Sequence, residues 1–262
     1  MIQGITFDYD GTIAQTSERQ FAWFKHWASV NGKTLKLEDF PSFLAFYNKH
    51  CSRKGGVQNV YDKLKLPCDM NDRNHPVWGA YTKYKQEHPV PFYPGMRKAI
   101  LDIWQSGHLR HDSPSNRRVR LAINTTNSWD SIYGELVNEG VIHCIDAYVS
   151  NETLRDYHGA GGQNGITKPS KISLAIILGL IDSEGGSTLH VGDTLNDLAA
   201  SHKVVRLNPS RPETLITVGV SWGYEGRERL EKGVSIPDGG TIHFNYIIDR
   251  PEELLPIVRK LM

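Results

Sequence analysis

The sequence predicts an α/β protein: a Rossmann-like three-layer α/β/α core with a mainly parallel sheet, plus an inserted helical cap domain. Three observations predict it. Short apolar strands alternate with helical segments through the last two thirds of the chain, as in a parallel sheet covered on both faces. About eighty residues after the first strand read as helical and aromatic, without strand alternation. The polar and acidic residues that stand out fall just after the apolar runs, where the carboxyl ends of parallel strands gather their chemistry.

Taken in order, residues 2–7 (IQGITF) form the first buried strand. Residues 17–31 follow as a helix with Phe21, Phe24 and Ala28 at helical spacing, Ser17 as N-cap and Gly32 as stop. A second helix over 37–51 carries Phe40, Phe43, Leu44, Tyr47 and Cys51, and a third includes Trp78, Tyr81 and Tyr84. The prolines of PVPFYPG (89–95) favour an extended return crossing. The expected domains are therefore a core of residues 1–14 and 93–262 and a helical cap of residues 15–92. In the core, helices are expected at 96–106, 129–140, 171–180, 195–202 and 252–261, and strands at 119–125, 147–150, 187–191, 217–222 and 246–248. The aromatic residues Phe21, Trp23, Phe24 and Trp27 read as the interior of the cap.

Thirty basic against twenty-nine acidic side chains leave a net charge of +1, which provides no global field for nucleic acid or an anionic membrane. Three widely spaced cysteines without a CxxC pair suit a reducing compartment. With no apolar run near the roughly twenty residues of a membrane span and no leader pattern, a cytoplasmic location is expected. The histidines lack paired ligand spacing, which disfavours a zinc enzyme. GAGGQNG (159–165) places Asn164 where a dinucleotide fingerprint needs its third glycine, so that reading is rejected.

The stretch DYDGT (8–12) raises the sharpest question. Side chains at i and i+2 leave a strand on one face, so Asp8 and Asp10 point the same way. Two carboxylates at the edge of an apolar core are costly unless a cation neutralises them. In HVGDTLND, Asp193 follows a strand directly and Asp197 lies one helical turn on, a second acidic pair with the same need. The strand end INTTNS adds hydroxyls at Thr125 and Thr126, and Lys168 precedes the Pro169 that opens the intervening helix. Carboxylates, hydroxyls and one lysine at a sheet edge suit magnesium and a phosphoryl group.

These four motifs, Asp8-Tyr-Asp10-Gly-Thr12, Thr125, Lys168 before Pro169, and Gly192-Asp193-Thr-Leu-Asn-Asp197, stand in the order seen in the haloacid dehalogenase superfamily of phosphohydrolases, which the chain resembles. GVSWGYEG (219–226) and DRPEELL (249–255) are similar to the tail of its phosphoglycolate-phosphatase-like branch. The resemblance implies that Asp8 is the nucleophile and becomes phosphorylated, while Asp10 protonates the leaving oxygen and then activates water. It implies that Lys168 and Thr125 hold the phosphoryl oxygens, with Thr126 the alternative register of the second motif. Magnesium would be held by Asp8, the Asp10 backbone carbonyl and Asp193, with Asp197 as ligand or as support. Asp10 favours phosphate over dehalogenase chemistry, because only an alkoxide leaving group needs the acid. The implied activity is hydrolysis of a small phosphorylated metabolite; a phosphomutase or a non-catalytic phospho-ligand-binding module is the alternative. The long basic loop over 108–120 and the insertion over 202–216 read as solvated surface, with an anionic substrate tail or a subunit contact as the other reading. Arg19, Lys25 and His26 are the expected polar candidates for specificity on the first cap helix.

Overall fold

In the computed structural model, residues 2–51, 56–70, 72, 74–108, 118–158, 166–181, 183, 187–207 and 215–262 are described. The glycine-rich 159–165, most of the basic loop and residues 208–214 of the 202–216 insertion lie outside them. The chain forms two compact units: Met1–Ala14 with Pro91–Met262, and Gln15–Val90.

The first unit is built on a six-stranded, wholly parallel sheet, in the spatial order β3-β2-β1-β4-β5-β8. Its strands are β1 (Ile2–Phe7), β2 (Arg120–Asn124), β3 (Ala147–Val149), β4 (Ser187–Gly192), β5 (Leu215–Val220) and, after a short antiparallel hairpin β6 (Val234–Ser235) and β7 (Thr241–Ile242), β8 (Tyr246–Ile248). β1, β4 and β5 are buried on both faces along most of their length, as in a covered parallel sheet, and the polar Thr6, Thr188 and His190 are buried with the apolar residues. The chain steps outward from β1 to β2 and β3, then returns to the other side of β1 with β4. The edge between β1 and its two neighbours is thus a topological switch point, where open α/β sheets bind ligands.

The helical unit holds α1 (Thr16–Val30), α2 (Phe40–Cys51), α3 (Val57–Leu64) and α4 (Pro76–Glu87). Trp23, Phe24, Trp27 and Phe43 are in its buried core, as their spacing predicts; Val60 and Tyr61 of α3 complete it, and Phe21 is only partly buried against it. The Trp23 indole N–H donates to the Tyr61 hydroxyl at 2.7 Å, so the largest of these side chains is buried without an unpaired donor. In the first unit, α5 (Met96–His108), α6 (Trp129–Asn138), α7 (Asn151–His158), α8 (Ile172–Leu180), α9 (Leu195–Leu207), α10 (Gly226–Lys232) and α11 (Leu254–Leu261) complete the layers. Leu174 and Ile177 of α8 and Ala200 of α9 pack with Ala122, Val149 and Leu215 on one face of the sheet. α5 packs against β2 and pairs with α11.

Several local expectations are corrected. Ser17 is not the N-cap of α1: the helix starts at Thr16, and the Ser17 hydroxyl instead donates to the neighbouring Glu18 at 2.9 Å. The second helix begins at Phe40 rather than 37, because Asp39 caps it by accepting from the Ser42 amide at 2.7 Å and Pro41 occupies its first turn. Helices α3, α7 and α10 and the β6-β7 hairpin were not expected, being short or weakly periodic. The strand expected at 217–222 runs from Leu215 to Val220, and Trp222 leaves the sheet to donate its indole N–H to the Thr12 carbonyl at 3.0 Å. Arg19, expected on the surface of its helix, is buried, whereas Lys25 and His26 are exposed. Cys51, Cys68 and Cys144 are free thiols. Among the described residues, no helix is long and apolar enough to cross a membrane.

Candidate active site

The site grows from the carboxyl end of β1. The Asp8 amide continues the ladder by donating to Val191 of β4 at 2.8 Å, which keeps the chain extended through Asp8. Strand alternation then turns Tyr9 away, into the interior, where its hydroxyl donates to Glu135 at 2.6 Å. Asp8 is buried and Asp10 half-buried. Beyond them the chain reverses in a turn in which the amides of Ile13 and Ala14 both point to the Tyr9 carbonyl, at 3.0 and 3.1 Å. Gly11 takes φ +80 in that turn, and a Cβ there would stand 2.3 Å from Oδ2 of Asp193.

Asp193 leaves β4 beside Asp8, fully buried. Its Oδ2 accepts the Tyr224 amide at 2.7 Å and its Oδ1 the Thr12 hydroxyl at 3.3 Å. Gly223 allows this approach, since a Cβ there would lie 2.3 Å from Asp193 and 2.5 Å from the Gly11 carbonyl. Asp197, in the first turn of α9, is also buried. One oxygen from each of Asp8, Asp193 and Asp197 lies within 4.8 Å of the others.

Lys168 brings the balancing charge. Its Nζ donates to Asp8 Oδ1, to Asp197 Oδ1 at 2.7 Å and to the Asn124 carbonyl at 3.3 Å. Thr125 follows β2 directly, and its hydroxyl donates to Asp10 Oδ2 at 3.2 Å. Thr126, one residue on, is exposed. The remaining sequence-derived residues, Asp8, Asp10, Thr125, Lys168, Asp193 and Asp197, meet at one sheet edge.

One ammonium cannot neutralise three buried carboxylates. Burial, together with the charges of Asp197 and Asp10 and against the pull of Lys168, pushes the Asp8 carboxyl up to about 7. Burial and the neighbouring Asp8 and Asp197 raise Asp193 well above the ordinary range. Burial opposes ionisation of Asp197 as well, but Lys168 and the His190 hydrogen bond overcome it and hold Asp197 low. Lys168 is raised, its carboxylate partners outweighing burial. The donor set is thus all-oxygen, tightly grouped and left with uncompensated negative charge, which fits a hard divalent cation such as magnesium.

Two contributors were not anticipated. Asn127 directs its side-chain amide to Asp10 Oδ1 at 3.3 Å, while its backbone amide donates to the Thr125 hydroxyl at 3.0 Å. Its place in the Thr-Asn pair of the strand end was the available signal. His190, fully buried in β4, contacts Asp197 Oδ1 through Nε2 at 3.2 Å, and burial holds its imidazole below the ordinary value. A lone histidine in an apolar strand carries no such signal.

A model of the haloacid dehalogenase-like hydrolase family matches residues 5–205. No curated protein matches the chain significantly. Among solved structures, CbbY from Rhodobacter sphaeroides in complex with phosphate is similar at 17% identity, TM-score 0.60, over 97% of this chain and 96% of that one. A predicted phosphoglycolate phosphatase from Haemophilus somnus is 15% identical, TM-score 0.65, over 98% and 97%. A Thermotoga maritima protein provisionally named a β-phosphoglucomutase is 16% identical, TM-score 0.62, over the whole of both chains. At these identities the likeness is one of fold.

Proposed function

The chain belongs to the haloacid dehalogenase-like hydrolase family, and from that premise we propose that it is a magnesium-dependent phosphomonoester hydrolase working through an aspartyl-phosphate on Asp8. The observation that carries this reading is the buried Asp8 carboxylate, paired with Lys168, with a second acid, Asp10, two residues on at the same strand edge.

An Asp8 oxygen attacks phosphorus and the ester P–O bond breaks, while Asp10 gives its proton to the departing alkoxide. Water then attacks the same phosphorus, Asp10 takes its proton, and the bond to Asp8 breaks to release inorganic phosphate. Lys168 and Thr125, with Asn127 beside them, hold the phosphoryl oxygens as charge shifts between them. Asp8, Asp193 and the Asp10 backbone carbonyl would hold magnesium, with Asp197 close by. The ion supplies positive charge that offsets the carboxylates and the phosphoryl group. The motif residues address only the phosphoryl group, so we assign recognition of the rest of the ester to the helical unit, with exposed Lys25 and His26 among the candidates. Phospho-substrates from CbbY-like and phosphoglycolate-phosphatase-like neighbours belong in the test for that reason.

The purified protein should release phosphate from members of a panel of phosphorylated metabolites and from an aryl phosphate when magnesium is present. Excess chelator should silence it and magnesium restore it, with calcium a poor substitute. Full activity in chelator would end the proposal. Isomerised ester without phosphate release would turn it to the phosphomutase reading.

A further inference from the structure

Asp197 is placed among the acidic groups, yet its acceptor positions are already taken. Its Oδ2 accepts the Thr194 hydroxyl at 2.6 Å and the Thr194 amide at 3.2 Å. Its Oδ1 accepts Lys168 Nζ at 2.7 Å and His190 Nε2 at 3.2 Å. A carboxylate offers about four lone-pair sites, so four donors fill it. Among the described residues, Asp193 accepts from Tyr224 and Thr12 alone, two donors against the four on Asp197. The two aspartates of this motif are therefore not equivalent.

The fourth donor depends on strand register. His190 lies directly opposite Thr6 across the parallel β1-β4 pair, and Thr6 Oγ1 meets His190 Nδ1 at 2.6 Å. Thr6 and Asp8 share a face of β1, being two residues apart, so the imidazole sits on the side of the sheet from which Asp8 emerges. The first turn of α9 brings Asp197 back onto that face. Since a carboxylate only accepts, the contact at Nε2 requires the hydrogen on Nε2, and Nδ1 then accepts from the Thr6 hydroxyl.

We propose that His190 is a positioning residue, braced by Thr6, that holds Asp197 as the anchor of Lys168 rather than as a magnesium ligand. The proposal rests on the phosphatase reading for its kinetic consequence, but its structural content does not. A line of hydrogen bonds runs from Thr6 through His190 and Asp197 to Lys168, and so to Asp8. Loss of the imidazole frees one acceptor position on Asp197 Oδ1, which still holds Lys168, and lets the carboxylate, and the ammonium with it, shift away from the phosphoryl position.

The test has two arms. In the wild-type protein at neutral pH, ¹⁵N NMR of the histidine rings, with the His190 signal assigned by its loss in His190→Gln, should show hydrogen on Nε2, and that signal should move in Asp197→Asn. Hydrogen on Nδ1 alone, or no response to Asp197→Asn, would overturn the proposal whether or not a substrate has been found. With an aryl phosphate, His190→Phe should lower kcat by about 10-fold or more, as small misplacements of catalytic groups do. The magnesium concentration for half-maximal rate should stay within about 2-fold, and His190→Gln, whose amide can replace the Nε2 donor, should recover most of the rate. A magnesium requirement raised about 10-fold in His190→Phe, an unchanged kcat, or no rescue by His190→Gln would overturn it. If the wild type hydrolyses no phosphate ester, the functional reading fails while the tautomer measurement still decides this one.

Discussion

Thr125 donates its hydroxyl to Asp10 across 3.2 Å, while Thr126, its neighbour, is exposed. The same Thr125 oxygen accepts the Asn127 amide at 3.0 Å, so it is oriented from both sides. We therefore assign the second motif to Thr125. A hydrogen bond to a charged group contributes about 1.5–3 kcal/mol. Thr125→Val is expected to lower kcat/KM by about 10- to 100-fold, and Thr126→Ala to leave it within about 2-fold. The reverse order in steady-state kinetics would move the register by one residue.

Asp8→Asn is expected to abolish turnover and to raise the melting temperature in chelator. The folded-state value of about 7 lies above the 3.8 of an ordinary aspartate, so folding disfavours the ionised form. That cost is absent below pH 3.8, grows as pH rises toward 7 and is complete above it. The melting advantage of Asp8→Asn should thus be a few degrees at pH 8 and vanish near pH 4. An advantage independent of pH, read by calorimetry in chelator, would contradict the charge argument.

Gly223→Ala should behave as an Asp193 defect. The added methyl must displace Asp193 or the Gly11 carbonyl, both within 2.5 Å of the new Cβ. The magnesium concentration for half-maximal activity is expected to rise by about 10-fold or more, as for loss of a group that orients a metal ligand. Gly134→Ala, where nothing lies within 4 Å, serves as the neutral control. Equal magnesium titrations for the two variants would count against the tight packing around Asp193.

The helical unit depends on Trp23. Truncating a fully buried tryptophan costs about 3–5 kcal/mol, and Trp23→Ala also strands the Tyr61 hydroxyl. Hydrogen exchange should rise across α1–α4 more than across β1, β4 and β5. Uniform loss of protection over both units would show that they do not unfold separately.

Lys25→Ala and His26→Ala are expected to reorder kcat/KM among phosphate esters while changing aryl phosphate hydrolysis by less than about 3-fold. An unaltered ranking would remove these two residues from substrate recognition.

Much of the site was legible because its signals are local. Residues two apart on a strand share a face, which places Asp8 with Asp10, and the first turn of a helix that starts just after a strand end stays near it, which places Asp197 near Asp193. Apolar runs bounded by these groups marked β1, β2 and β4, and helical spacing marked the Trp23 and Phe24 core. The two-residue strands β6 and β7 and the eight-residue α3 are too short for periodicity to register, and the N-cap of α2 turned on Asp39 rather than on the hydrophobic pattern.

What the sequence by itself determined is the inventory: which carboxylates and hydroxyl lie at strand ends or helix starts, which lysine precedes a helix, and hence the chemistry they suit. Only the tertiary structure decided who meets whom. The order β3-β2-β1-β4-β5-β8 sets β4 against β1, pairs His190 with Thr6, and carries Lys168 between Asp8 and Asp197. The loop after β5 comes back to give Asp193 the Tyr224 amide. Those contacts join residues up to 184 positions apart, and periodicity, which reads only the face of a residue's own element, holds no information about the element packed against it.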